Sequence, residues 1–222
     1  MRVGVFGGTF DPIHSGHLIL AEQGREQGRL DEVWFVPAPH PPQKDVNALT
    51  RFEQRVEMLA LALAGNPAFR IDELEKERSG PSYTVDTLAA LRRRHPDHEL
   101  FLLVGSDTLN DLPHWYEPNR VLELAGLLVM TRPGNPALTV EQLRTKLHLP
   151  ANVPIRLEVI ETPQIDISSR DLRRRAAAGR SLRYFLPRAV ECYIHDKRLY
   201  RLAERGRQPP ESSLRGLTPP AR

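Results

Sequence analysis

Six short apolar runs recur along the first 160 residues, and helical patterns separate them. The runs fall at residues 2–6, 32–36, 69–72, 99–104, 126–130 and 155–160. Several are apolar at both alternating positions, as in Leu100-Phe101-Leu102-Leu103-Val104. Strands covered on both faces read this way. Between them, Thr50 to Ala64 opens with Thr50-x-x-Glu53, the pattern of a capping box, and carries Phe52, Val56, Leu59 and Leu63 on one face. Tyr83 to Arg94 follows the turn signal Ser79-Gly80-Pro81. Strand, helix and strand repeated in this order predict an α/β fold. Its core is a doubly wound parallel sheet of about six strands, with right-handed crossovers and helices on both faces.

In such a sheet the ligand crevice lies at the carboxyl ends of the strands. Four polar, glycine- or proline-bearing segments fall there: Gly7 to His17, Pro37 to Lys44, Gly105 to Asp107, and Ile167 to Arg173. The first segment is Gly-Gly-Thr-Phe-Asp-Pro-Ile-His-Ser-Gly-His. It joins a strand to a helix that opens with two histidines one turn apart. Free backbone N–H groups, a positive helix end and two imidazoles then surround one small volume, which suits a phosphate. Neither G-x-x-x-x-G-K-[ST] nor G-x-G-x-x-G is present here, so the phosphate would rest on residues 7–10, His14 and His17. Gly16 would let a ligand oxygen approach the backbone, and Asp11 would hold the turn through local hydrogen bonds.

Ile167-Ser168-Ser169-Arg170-Asp171-Leu172-Arg173 predicts a second helix N-terminus. Ser168 and Ser169 offer hydroxyl and N–H donors, and Arg173 sits one turn on as a fixed cation. Ser168-x-x-Asp171 also fits a capping box, and both roles can hold. Arg174 and Arg175 point elsewhere on that helix and are expected in solvent. In Gly105-Ser106-Asp107, the aspartate would either cap a helix or accept from ribose hydroxyls.

Charge narrows the choice of partner. The 222 residues carry a net +3, but the last 22 hold five Arg and two Glu, which leaves residues 1–200 neutral. The body therefore has no global field to steer a polyanion, and no nucleic-acid role is expected. The chain is expected to comprise one domain over 1–200 and a basic, proline-bearing tail over 201–222 with the composition of a disordered segment. Cys192 is the only cysteine, so no intrachain disulfide can form, and a buried inert thiol is expected. The N-terminus lacks a signal-peptide pattern and no run approaches ~18 apolar residues. A cytoplasmic protein without membrane attachment is expected, and the sequence leaves a homo-oligomer open.

The segment Gly7 to His17 resembles the H-x-G-H signature of a nucleotidyltransferase superfamily whose members have a Rossmann-like fold. Within it, the chain resembles the bacterial nicotinate-mononucleotide adenylyltransferases from about residue 2 to about residue 200. Ile167 to Arg173 is similar to that family's I-S-S-T-x-I-R, with Arg170 where Thr or Ser is usual. Gly105-Ser106-Asp107 matches its G-x-D, Pro113 to Tyr116 its P-x-W-Y, and Gly80 to Thr84 its G-P-S-Y-T. Pro41-Pro42-Gln43-Lys44 resembles P-P-H-K, with Gln43 in place of the histidine.

The resemblance implies transfer of AMP from ATP to nicotinate mononucleotide, with pyrophosphate leaving. It assigns His14 and His17 to the ATP phosphates, His17 nearer the α-phosphate. Gly8, Thr9 and Phe10 would contact the nucleotide through their backbone. Ile167, Ser168, Ser169 and Arg173 would hold the outer phosphates, and Gly105 and Asp107 the ribose. Trp115 and Tyr116 would form a platform for the pyridine ring. Ser82, Tyr83 and Thr84 would read the nicotinate carboxylate, and Lys44 would take the mononucleotide phosphate. Mg²⁺ would arrive on the ATP phosphates, with no metal ligands supplied by the protein. Alternatives are a relative acting on nicotinamide mononucleotide or phosphopantetheine, and, in a different class, a silent nucleotide sensor or a nucleic-acid binder using the Arg-rich tail.

Overall fold

The computed structural model describes residues 1–42, 44–131 and 134–200. The tail beyond residue 200 and Gln43 lie outside the described residues. All six apolar runs become strands: β1 (Arg2–Gly8), β2 (Glu32–Pro37), β3 (Phe69–Ile71), β4 (Glu99–Gly105), β5 (Gly126–Met130) and β6 (Leu157–Ile160). They form one parallel sheet in the order β3-β2-β1-β4-β5-β6. Val5 pairs with Trp34 of β2 on one side and Leu102 of β4 on the other. The strand order reverses between β1 and β4, and that switch point opens a crevice at the strand carboxyl ends.

Eight helices flank the sheet among the described residues: α1 (Ser15–Gln27), α2 (Phe52–Leu63), α3 (Thr84–Arg94), α4 (Ser106–Asn110), α5 (Pro118–Leu124), α6 (Val140–Lys146), α7 (Ser169–Ala177) and α8 (Arg188–Asp196). The period-two alternation of the strands divides the interior into two cores. Val3, Val5, Trp34, Leu100, Leu102 and Val129 face one way, onto Leu88 and Leu91 of α3, Val121 of α5 and Leu143 of α6. Phe6, Val33, Phe35, Phe101, Leu103 and Leu128 face the other way, onto Ala21 of α1, Met58 and Leu59 of α2, Leu172 of α7 and Val190 of α8. Each fully buried Leu or Phe adds about 1.5–3 kcal/mol relative to exposure. The doubly wound α/β architecture is therefore present, with helices on both faces.

Four local expectations change. The capping box at Thr50-x-x-Glu53 does not form: α2 starts at Phe52, and its N-cap, Arg51, makes no side-chain cap bond. The reason lies outside the helix. The Thr50 N–H donates to the Asp11 carboxylate at 3.2 Å, and the Thr50 carbonyl accepts from Arg55 Nε at 3.0 Å. The buried stripe of α2 is Arg55, Met58, Leu59 and Leu63, so the stripe includes a charge and leaves Phe52 and Val56 half-buried. Arg175 is not simply solvated: it donates to the Ser181 carbonyl and stacks over Phe185 at 4.7 Å. Cys192 is half-buried.

Candidate active site

The turn after β1 is held by its own side chains. At Gly8 an added Cβ would come within 2.8 Å of the Phe10 ring, so only glycine lets Phe10 fold back. Phe10 has φ 48° and is 2% exposed, and its ring meets His17 edge-on at 5.2 Å. The Asp11–Pro12 peptide is cis.

The two histidines then cap α1 reciprocally. The His17 N–H donates to His14 Nδ1 at 3.4 Å, and the His14 N–H donates to His17 Nδ1 at 3.3 Å. The rings stack with centroids 3.6 Å apart and planes 25° apart. This is the logic of the capping box, performed by imidazoles. Because each Nδ1 accepts, each neutral ring carries its proton on Nε2. Both histidines are thus Nε2–H donors, fixed in tautomer by the backbone. His14 is 3% exposed and lies behind His17, which lines the cleft. Gly16 has a different job from the one expected: a Cβ there would stand 3.1 Å from His14 Nδ1. Its bareness admits the His14 ring, and the space is not left for a ligand oxygen.

Asp11 also departs from expectation. It is 1% exposed, and its bonds are long-range. Oδ1 accepts from the Tyr200 hydroxyl at 2.6 Å, and Oδ2 accepts from the Thr50 N–H. The turn's carbonyls are bound in the same way. Arg173 Nη1 donates to the Asp11 carbonyl at 2.7 Å, and Ser169 Oγ donates to the Pro12 carbonyl at 2.9 Å. Buried Arg55 donates to the Thr9 carbonyl at 2.7 Å, and Lys44 Nζ to Thr9 Oγ1 at 2.8 Å. Ser168 caps α7 by accepting from the Asp171 N–H at 3.1 Å, and its hydroxyl donates to the Asp171 carboxylate. Ile167 packs against the second core. Ser169 and Arg173 therefore brace the first turn from outside, and none of Ile167, Ser168, Ser169 and Arg173 lines the cleft itself.

Lys44 feels Arg173, Arg55 and Arg170 as like charges and Asp11 as an opposite one. Partial desolvation, then repulsion from Arg173, lowers the pKa of Lys44, although its side chain remains accessible. Arg170, given no role from sequence, contributes to that repulsion.

The opposite wall is built from turns. The Ser82 N–H donates to the His40 carbonyl at 2.9 Å, and Ser82 Oγ accepts from the His40 N–H at 3.3 Å. The 80–84 turn is thereby fastened to the loop after β2. Tyr83 caps α3 by position, and its ring lies 4.7 Å from that of Tyr116. Trp115 packs partly on the first core and also faces the cleft. Gly105 is the N-cap of α4, so Asp107 sits within its first turn and is not the cap.

A cleft of about 650 Å³ gathers Gly8, Thr9, Phe10, His17, Lys44, Ser82, Tyr83, Thr84, Gly105, Asp107, Trp115 and Tyr116. It also gathers Glu75 and Thr87, which the sequence reading missed. Glu75 is 6% exposed and accepts from Thr87 Oγ1 at 2.5 Å. Burial raises its pKa. Arg55 and Tyr200 were missed as well. The one signal for Arg55 was an arginine inside an apolar helical stripe. A larger pocket of about 990 Å³ lies between α7 and α8, away from these residues.

Residues 5–175 match the family described as cytidylyltransferase-like. A protein of Thermomicrobium roseum named as a probable nicotinate-nucleotide adenylyltransferase is 48% identical over 203 residues, covering 91% of this chain and 93% of that one. A Thermus thermophilus protein of the same name is 45% identical over 201 residues, covering 90% and 100%. Among solved structures, a Plasmodium falciparum nicotinic acid mononucleotide adenylyltransferase complexed with NaAD superposes with a TM-score of 0.74 at 21% identity, covering 90% of this chain and 97% of that one. That likeness concerns the fold. Sequence identity at this level over nine-tenths of the chain places it: the chain belongs to the cytidylyltransferase-like family, among the nicotinate-nucleotide adenylyltransferases.

Proposed function

We propose that the chain joins ATP and nicotinate mononucleotide in the cleft by direct in-line attack, with no covalent enzyme intermediate. The acceptor's 5′-phosphate attacks the α-phosphorus of ATP. A P–O bond forms to the acceptor, the bond to the β-phosphate oxygen breaks, and pyrophosphate leaves with the electron pair. The attacking monoester has a second pKa of about 6 and is largely dianionic at neutral pH, so it needs no general base. What the site must supply is position and neutralisation of charge. The observation that carries this reading is the reciprocal cap of His14 and His17, which fixes Nε2–H donors at the head of α1.

In this reading His17 donates to the α-phosphate, and His14, buried behind it, holds His17 in its rotamer. The α7 N-terminus, with Ser168, Ser169 and Arg173, adds positive potential. Lys44 takes the acceptor phosphate, Trp115 and Tyr116 bear its ring, and the 82–84 turn reads its carboxylate. Asp107 accepts from ribose. Mg²⁺ is proposed as part of the substrate, carried by the triphosphate, where it neutralises the leaving pyrophosphate. The reaction is placed in the cytoplasm, which suits a lone cysteine. Among the described residues, no helix is long and apolar enough to cross a membrane.

Pyrophosphate release is to be measured with ATP, Mg²⁺ and each of three acceptors: nicotinate mononucleotide, nicotinamide mononucleotide and phosphopantetheine. The expected outcome is preference for the first. Preference for another acceptor would replace it as the substrate. Use of a P-chiral α-thiophosphate analogue of ATP tests the in-line step: inversion at phosphorus is expected, and retention would require a covalent intermediate.

A further inference from the structure

Glu75 stands where the mechanism above does not use it. It lies in the short 3₁₀ turn Leu74–Glu77 and lines the cleft next to the turn that reads the acceptor. One carboxylate oxygen, Oε1, accepts from Thr87 Oγ1. The other, Oε2, is buried and has no hydrogen-bond partner among the described residues. Thr87 in turn accepts from Arg78 Nη2 at 2.9 Å and lies near the start of α3, three residues after Thr84. Arg78 stays 3.9 Å from Glu75, too long for a direct hydrogen bond. A buried carboxyl with one oxygen unpaired is costly as an anion and cheap as an acid, whose O–H is itself a donor.

We propose that Glu75 sets the discrimination between an acidic and a neutral pyridine acceptor, as the neutral acid favouring a carboxylate in the cleft and as the anion opposing it. The inference rests on the acceptor reading given above. A neutral Glu75 adds no negative charge beside the 82–84 turn and holds α3 through Thr87. An ionised Glu75 sets a like charge near the acceptor carboxylate and offers an acceptor to a carboxamide N–H. Glu75 acts through the turn and through its field, as a positioning and specificity residue.

The groups facing Glu75 act in both directions. Arg78 and the hydroxyls of Thr87 and Ser82 favour the anion, while Asp86 of α3 disfavours it. Desolvation is the largest influence, and its direction is upward. On its own turn stand Glu73, Lys76 and Glu77, and the cleft also holds Lys44, Tyr83, Asp107, Asp111, His114 and Tyr116. Lys44 and the acceptor phosphate act alike on both acceptors, so their titrations cancel in a ratio.

The experiment is the ratio of kcat/KM for nicotinate mononucleotide over nicotinamide mononucleotide, from about pH 5.5 to about pH 9. In the unaltered chain the ratio should fall by about tenfold as pH rises, the effect of one pK unit of interaction between carboxylates. Glu75→Gln, neutral at every pH, should keep the high ratio throughout and retain turnover. A ratio in the unaltered chain that does not change with pH would overturn the inference without any variant. So would a Glu75→Gln profile that still falls, which would assign the pH dependence to another group. If neither acceptor is turned over, the acceptor reading itself fails, and the inference with it.

Discussion

An imidazole that caps its own helix has its tautomer decided before a ligand arrives. In His14 and His17 the capping bonds occupy both Nδ1 atoms, and the 3.6 Å stack limits ring rotation. The donors are therefore preorganised, the condition under which a hydrogen bond to developing charge is worth most. His17→Ala is expected to lower kcat by about 10²–10³, the scale of a single donor aimed at transition-state charge. Pyrophosphate release at saturating ATP checks this, and near-normal turnover would remove His17 from the reaction. Stability should fall by about 1 kcal/mol, because the His14 N–H loses its acceptor and the cap of α1 is halved. The histidine pair at the head of α1 was legible from spacing alone, as was the turn that precedes it. Its capping role was not, because histidine is not among the usual N-cap residues. Gly16 was misread for the same reason: the ring that fills its space comes from a residue expected to point at ligand.

Elements show where pattern ends and tertiary context begins. The strands β1, β2, β4 and β5 are buried on both faces and betray themselves as unbroken apolar runs. The edge strands β3 and β6 are only partly buried, and their ends were drawn one or two residues too long. At α2, local capping lost to the first turn. Arg55, 1% exposed, binds the carbonyls of Thr9 and Thr50 and is drawn to Asp11. A helical stripe read by hydrophobicity alone cannot foresee a buried guanidinium with a partner 46 residues away in the first turn. Arg55→Met would fill much of the volume but leave Asp11 and two carbonyls uncompensated. A loss of about 3 kcal/mol is expected, as for one partner removed from a buried charge pair. The urea midpoint measures it. A midpoint unchanged from the parent would show that Arg55 is dispensable to the turn.

At the scale of the whole molecule, the first turn and the last described residue are one structure. The Tyr200 hydroxyl donates to Asp11 across 189 residues of chain, so the fold is closed by a bond between its two ends at the site. No sequence pattern announces such a bond, because its partners share neither an element nor a period. Burial, with Asp11 beside it, raises the Tyr200 pKa, so the phenol stays protonated and donating throughout the neutral and mildly alkaline range. The bond gives a truncation and a substitution at this end of the chain opposite expectations. Removing residues 201–222 leaves Tyr200 in place, and adenylyl transfer should be unchanged, as expected of a tail that takes no part in the site. Tyr200→Phe in the full chain removes one hydroxyl and leaves a buried carboxylate oxygen without its donor. The expected cost is about 1.5–3 kcal/mol, typical of a hydrogen bond to a charged group. Turnover should fall with it, because Asp11 then holds Thr50 and the turn less firmly. Urea unfolding and pyrophosphate release on both variants decide the point: a truncated chain that loses activity while Tyr200→Phe keeps it would place the functional end of the molecule in the tail, and the closure at Asp11 would be ornamental.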